Sequence, residues 1–333
     1  MHLEALLFLP VLGLAAGVDL YFTLLTLGVV SLIGWGAGPP GAVADLGSVG
    51  VMIVTGAFYL AELTAERRLV SSLVWNALHA IIRPLAGVLL ALLVLDGAPT
   101  SLLLVGALGT ALLASLAHAT ATGGSLLLRL TPSARVRPVL ASLLEDTTVL
   151  GGVILAFERP AWSAGLALLL VLGALVRTRS NLSAFAFGMQ LLWSASRRLV
   201  SRRGGWVLGG SLPAWLQEEL ARHTSVVEHL RGVPGALVGA PRTRPIVRGW
   251  LVAGGDGPRF VYGPGRWVDL GPWAPVGLTR EPLLRRVSYT RPAGVALYLP
   301  LQGPGRPALR DELGLGEATS ETSSHGTRSS VHG

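Results

Sequence analysis

The chain of 333 residues contains no cysteine, so disulfides, zinc thiolates and cysteine nucleophiles are excluded. It contains no lysine either, and all 27 basic residues are arginine. That removes the P-loop lysine, the lysine of a pyridoxal enzyme and any Schiff-base mechanism. Charged residues make up only 14% of the chain while 51% is apolar, and the mean hydropathy is +0.57. An ordinary soluble enzyme is not this oily.

Apolar residues crowd the first half. Runs cover about Ala5 to Ile33, Val49 to Leu63, Val70 to Leu95, Leu102 to Ala121, Val139 to Phe157 and Trp162 to Val176. Most are long enough to cross a hydrocarbon core of roughly 30 Å. The pattern therefore predicts an all-α polytopic membrane bundle of about six transmembrane helices. The opening Met-His-Leu-Glu lacks a basic n-region, so the first run is expected to be a retained helix. Arginines sort by side. Arg67, Arg68, Arg129, Arg135, Arg137, Arg177 and Arg179 fall in the loops of one side, and Arg159 alone on the other. By the positive-inside rule this predicts an inner-membrane protein with both termini cytoplasmic. Six spans are also compatible with two inverted repeats of three.

Four regions follow: a transmembrane domain (1–180), an interfacial helix or linker (181–203), a basic α+β cytoplasmic domain (204–312) and a disordered tail (313–333). The second carries Phe185, Phe187 and Trp193 and ends in Arg197, Arg198, Arg202 and Arg203, suited to the headgroup layer. In the third, Ser211 predicts an N-cap for a helix to about Leu230. Strands are expected at Gly235 to Val238, Pro245 to Val252, Arg259 to Tyr262, Leu284 to Tyr289 and Gly294 to Leu299. Between Gly205 and Arg310 there are 13 arginines and 6 acidic residues, which favours anionic lipid headgroups as partner. No nucleic-acid reader motif accompanies the charge.

Charge inside an apolar span is costly, roughly 2.5 to 3.5 kcal/mol on insertion scales, so it marks candidate function. Asp19, Arg83, Glu145 and Asp146 stand near the middle of their runs, and Arg83 is expected to meet at least one of these three carboxylates. Trp75, His79 and Arg83, spaced by four, share a helix face with Asn76 beside them. Pro84 should break or kink that helix. His79 and His118, with the acidic pair, leave a metal site or proton relay open; a buried ion pair and hydrogen-bonded histidines are the structural alternative. Gly13 and Gly17 form a small-xxx-small pattern that predicts close helix packing. No cofactor is expected.

Three stretches together carry a resemblance: Asn76 to Gly87 (NALHAIIRPLAG), Ala117-His118-Ala119-Thr120, and Ser142 to Asp146 (SLLED). In this order they resemble the bacterial membrane family catalogued as domain of unknown function 4126, from about Leu12 to Val176. The resemblance implies a multi-pass fold and importance for His79, Arg83, Pro84, His118, Glu145 and Asp146, but no activity. The chain departs from the pattern at Glu66-Arg67-Arg68-Leu69, where such proteins often carry Asp-Lys-x-Pro, and at Ala121, where a lysine often follows the histidine motif. The functional expectation is a small transporter or ion-coupled permease with a midplane charged site. An anchor presenting the basic domain is the alternative, and an intramembrane enzyme a third possibility.

Overall fold

The computed structural model describes residues 2–35, 40–131, 137–200, 205–223, 227–241, 243–254, 257–280, 283–292, 294–301 and 303–314, with backbone alone at 2–4, 137–142, 177 and 198–200. The expected disordered tail lies outside them except for Leu313 and Gly314, which end a helix instead. Seven helices come first: α1 (His2–Val18), α2 (Leu20–Ile33), α3 (Val49–Ala65), α4 (Leu69–Val94), α5 (Thr100–Leu130), α6 (Arg137–Glu158) and α7 (Pro160–Val200), with a 3-10 turn at Gly41–Gly47.

By length and composition α4 and α5 can each cross a membrane. The count rises to four if two bent pairs each form one span, the 3-10 turn with α3 (77°) and the two halves of α7 (71°). Their surfaces are inverted relative to a soluble protein. On α4 the outward stripe is Val74, Leu78, Ile81, Leu85, Leu89 and Leu92, all exposed, while Ser72, Asn76, His79 and Arg83 face inward. Polar side chains inside and leucine outside is the arrangement a bilayer rewards.

The first apolar run is two helices, not one. Asp19 interrupts it with extended backbone (φ −143°, ψ 101°), and the chain turns back. α1 descends antiparallel to α6, with Phe8 against Phe157 (ring centroids 5.7 Å) and Val11 beside Gly152. α2 then climbs parallel to α6: Phe22 stacks on Tyr59, whose hydroxyl donates to Asp146, and Trp35 Nε1 donates to Glu158 Oε1 at 2.6 Å. Both ends of the run therefore lie at the Glu158 end of α6.

Glycine sets the hairpin's depth. A Cβ on Gly17 would stand 2.4 Å from the Ala114 carbonyl oxygen, and one on Gly13 3.0 Å from that of Thr110, so α1 packs backbone to backbone along α5 as the small-xxx-small pattern predicts. α4 runs unbroken through Pro84, contrary to the expected break. Proline removes one intrahelical hydrogen bond, and close packing of Gly87 on the Thr110 backbone keeps the helix in place. The interruption in this bundle is at Asp19.

The second unit is an antiparallel sheet. Its strands are β1 (Val207–Leu208), β2 (Arg231–Val238), β3 (Ile246–Ala253), β4 (Arg259–Gly263), β5 (Arg266–Asp269), β6 (Ala274–Arg280), β7 (Leu284–Arg291) and β8 (Val295–Pro300), in the order β5-β4-β3-β2-β8-β7-β6 with β1 on β2. All five expected strands are present. The expected helix from Ser211 to Leu230 is shorter, α8 (Ala214–Ala221), with Pro213 rather than Ser211 at its N-cap; a last helix, α9 (Arg306–Leu313), closes the unit.

Every residue of β8 is buried, because both faces of the sheet are covered there. Val295, Leu297 and Leu299 join Val233, Leu237, Phe260 and the α9 residues Leu309 and Leu313 in one core. Ala296 and Tyr298 point the other way, into a cluster with Leu73 of α4, Leu126 and Leu130 of α5, and Phe187 and Leu191 of α7. Alternation along one strand thus joins sheet to bundle. The Tyr298 hydroxyl donates to the Leu130 carbonyl, one of the last carbonyls of α5.

Candidate functional site

The hairpin tip is a helix end inside protein. Asp19 caps α2 by accepting from the Phe22 N–H at 2.9 Å. The last carbonyls of α1 lack intrahelical partners, and Arg83 supplies them: its Nη1 donates to Gly17 O at 2.5 Å and Val18 O at 2.7 Å. Nη2 of the same guanidinium donates to Glu62 Oε1 at 2.6 Å. A planar fork with five donors suits two carbonyls and a carboxylate at once.

Arg83 thus pairs with Glu62, and with none of Asp19, Glu145 or Asp146. Asp19 serves as a helix cap, and Asp146 accepts from Tyr59 at 3.3 Å. Glu62 also accepts from Trp75 Nε1 at 3.2 Å. Glu62, which sits close to the end of the second apolar run, is not among the site residues expected from the sequence, although a carboxylate within an apolar run is the signal that could have found it. Glu62 Oε2 and Arg83 Nε are buried with no partner among the described residues.

Two histidines brace the surrounding helices. His79 Nδ1 faces the Trp75 carbonyl at 2.8 Å, and a carbonyl only accepts, so the proton sits on Nδ1 and Nε2 accepts from the Tyr21 hydroxyl at 3.0 Å. His118 is set the other way: Nε2 donates to the Asn76 carbonyl at 2.9 Å. The Thr122 hydroxyl lies 3.1 Å from Asn76 Oδ1 and 3.3 Å from His118 Nδ1, with one proton to share. Both rings are committed to backbone carbonyls. Among the described residues no three His, Asp or Glu side chains are grouped as a metal would require.

Below the tip, Arg83, Asn76, Thr122, Arg129, Glu66 and Glu145 line a polar cavity of about 20 Å³, room for roughly one water. The Glu66, Arg129 and Glu145 side chains make no hydrogen bond or ion pair among the described residues. Glu66 stands in the turn between α3 and α4, where burial, and next the charge of Glu62, push its carboxyl above the ordinary range. Glu145 also borders an apolar cavity of about 240 Å³ between α1, α5, α6 and α7. It therefore separates a polar space from an apolar one.

The chain thus combines a buried polar site on apolar-surfaced helices, two to four of which are long and apolar enough to span a membrane, with an antiparallel sheet against one end. Residues 6–180, more than half the chain, match the family described as Domain of unknown function (DUF4126), and the protein belongs to it. No curated protein and no solved structure matches the chain.

Proposed function

We propose that this protein is a small membrane permease whose solute, a small polar molecule or ion, passes the tip of the α1–α2 hairpin. One observation carries the reading. A helix end stands inside the bundle, held by a buried Arg83–Glu62 pair, beside a cavity lined by three ionisable side chains that form no hydrogen bond or ion pair among the described residues. Irregular backbone at membrane depth is tolerated where it lines a cavity, and interrupted helices are a recurrent element of transporter sites.

In this reading the hairpin enters and leaves on one side, and α3, α4, α5, α6 and the first half of α7 cross. The arginine-rich turns and the sheet share the cytoplasmic end, since Arg67 and Arg68 precede α4 where Leu73 meets the sheet. The N-terminus then lies on the opposite side. The test is solute flux and ligand-induced stabilisation in proteoliposomes carrying wild type, Glu145→Gln or Arg129→Gln. The reading expects loss of response in folded variants; an unchanged response in both ends it.

A second reading, an anchor that presents the sheet to anionic headgroups or a partner, draws on Arg244, Arg248, Arg266 and Arg280, all exposed. It expects anionic vesicles to associate with the full chain in zwitterionic nanodiscs at low salt and to dissociate as salt rises. No association at low salt excludes it.

A further inference from the structure

After Val176, α7 bends by 71° and its second half runs against the sheet. Between them lies a cleft of about 510 Å³. Its polar lining is Gln190, Trp193, Ser194 and Arg197 from α7 with Trp206 and Trp250 from the sheet unit, and no carboxylate among the described residues lines it.

The lining is rich in donors. Arg197 is exposed, lies over the Trp193 ring at 5.0 Å and has no ion pair among the described residues. Trp206 Nε1 is buried with no acceptor among the described residues. A site with a guanidinium, indole N–H groups and no acidic side chain suits an anion that can accept several hydrogen bonds. Position narrows the choice further. The cleft opens where the bundle meets the sheet, and Trp193 stands exposed at its edge, as tryptophan does at the level of lipid headgroups.

We infer that this cleft binds the phosphate headgroup of an anionic phospholipid from the leaflet on the sheet's side, with Arg197 as the charge contact. The site is separate from the hairpin tip, and the inference stands whether or not the protein is a permease.

The test is native mass spectrometry of the full chain released from nanodiscs of equal phosphatidylglycerol and phosphatidylcholine with matched acyl chains. Wild type should retain phosphatidylglycerol in preference by roughly fivefold, the effect of one cationic contact at a surface. Arg197→Gln should abolish that preference. Trp206→Phe, which keeps the ring and removes the N–H, should reduce it, and Arg222→Gln, outside the cleft and ion-paired with Glu218, should leave it intact. Equal retention of both lipids overturns the inference, as does a preference that survives Arg197→Gln or falls equally in Arg222→Gln. Inorganic phosphate at millimolar concentration should not displace the lipid; full displacement would assign the cleft to a free anion instead.

Discussion

Arg83 and Glu62 hold the hairpin tip to α3 and α4, and each is almost wholly buried. Removing one leaves the other charged and unpaired in a poorly solvating interior, so Arg83→Met or Glu62→Leu should each cost about 3–5 kcal/mol in detergent melts. The double variant Arg83→Met with Glu62→Leu should recover part of that loss. If each single change were mild, the pair would not be what seats the tip. Tyr289 gives the opposite case, a buried hydroxyl without a partner among the described residues, on a ring packed edge-on to Trp273. Tyr289→Phe should leave the melting temperature unchanged or raise it, by up to about 1 kcal/mol. Glu66 has a carboxyl pKa raised by burial, so the folded state holds its proton more tightly than the unfolded chain does. The stability this lends is full below the ordinary value of 4.5 and is lost as pH rises through the folded value. Melting temperatures in that window should fall more steeply with pH for wild type than for Glu66→Gln. The sequence placed His79, Arg83 and Asn76 on one inward face correctly, because helical spacing alone determines that. It could not choose Arg83's partner, since which of several carboxylates comes within reach depends on how far α1 descends.

That descent belongs to the helix scale and to glycine. A methyl at Gly17 has no room against α5, so Gly17→Ala should destabilise by about 1–3 kcal/mol, while Gly109→Ala, with nothing near its Cβ, should be neutral or slightly stabilising. Equal effects at the two positions would contradict the packing of α1 on α5. The run Ala5 to Ile33 has the length of a span, and hydropathy is blind to direction, so its return at Asp19 was hidden. Arginine sorting missed it as well. The connection from Gly34 to Ser48 contains no arginine, so one crossing or two before α3 leave the later loops sorted alike. A chain without cysteine allows a direct check by single-cysteine labelling. His2→Cys and Ser48→Cys should react with an impermeant maleimide from the same side, and Arg68→Cys from the other. Labelling of His2→Cys and Arg68→Cys together would restore the single crossing.

At the scale of the molecule, the sheet is part of the bundle's packing rather than a module on a tether. Phe187→Ala should therefore loosen it, and limited proteolysis near residue 205 should accelerate several-fold while α4 and α5 remain protected. Equal cleavage in wild type and variant would mean that the sheet does not lean on the helices. Strand positions were readable from alternation, but alternation names two faces without naming what each one meets. The faces of β8 meet α9 on one side and three membrane helices on the other, and its partner cluster includes residues as early as Leu73. This sets an order on biosynthesis. Translation reaches Tyr298 only after every helix of the bundle has left the ribosome, so the exposed ends of α4, α5 and α7 wait uncovered until the last tenth or so of the chain arrives. A chain stopped before Val295 would leave Leu73, Leu126, Leu130, Phe187 and Leu191 without this cover, and completing the strand would hide them from chaperones and proteases that read exposed apolar surface.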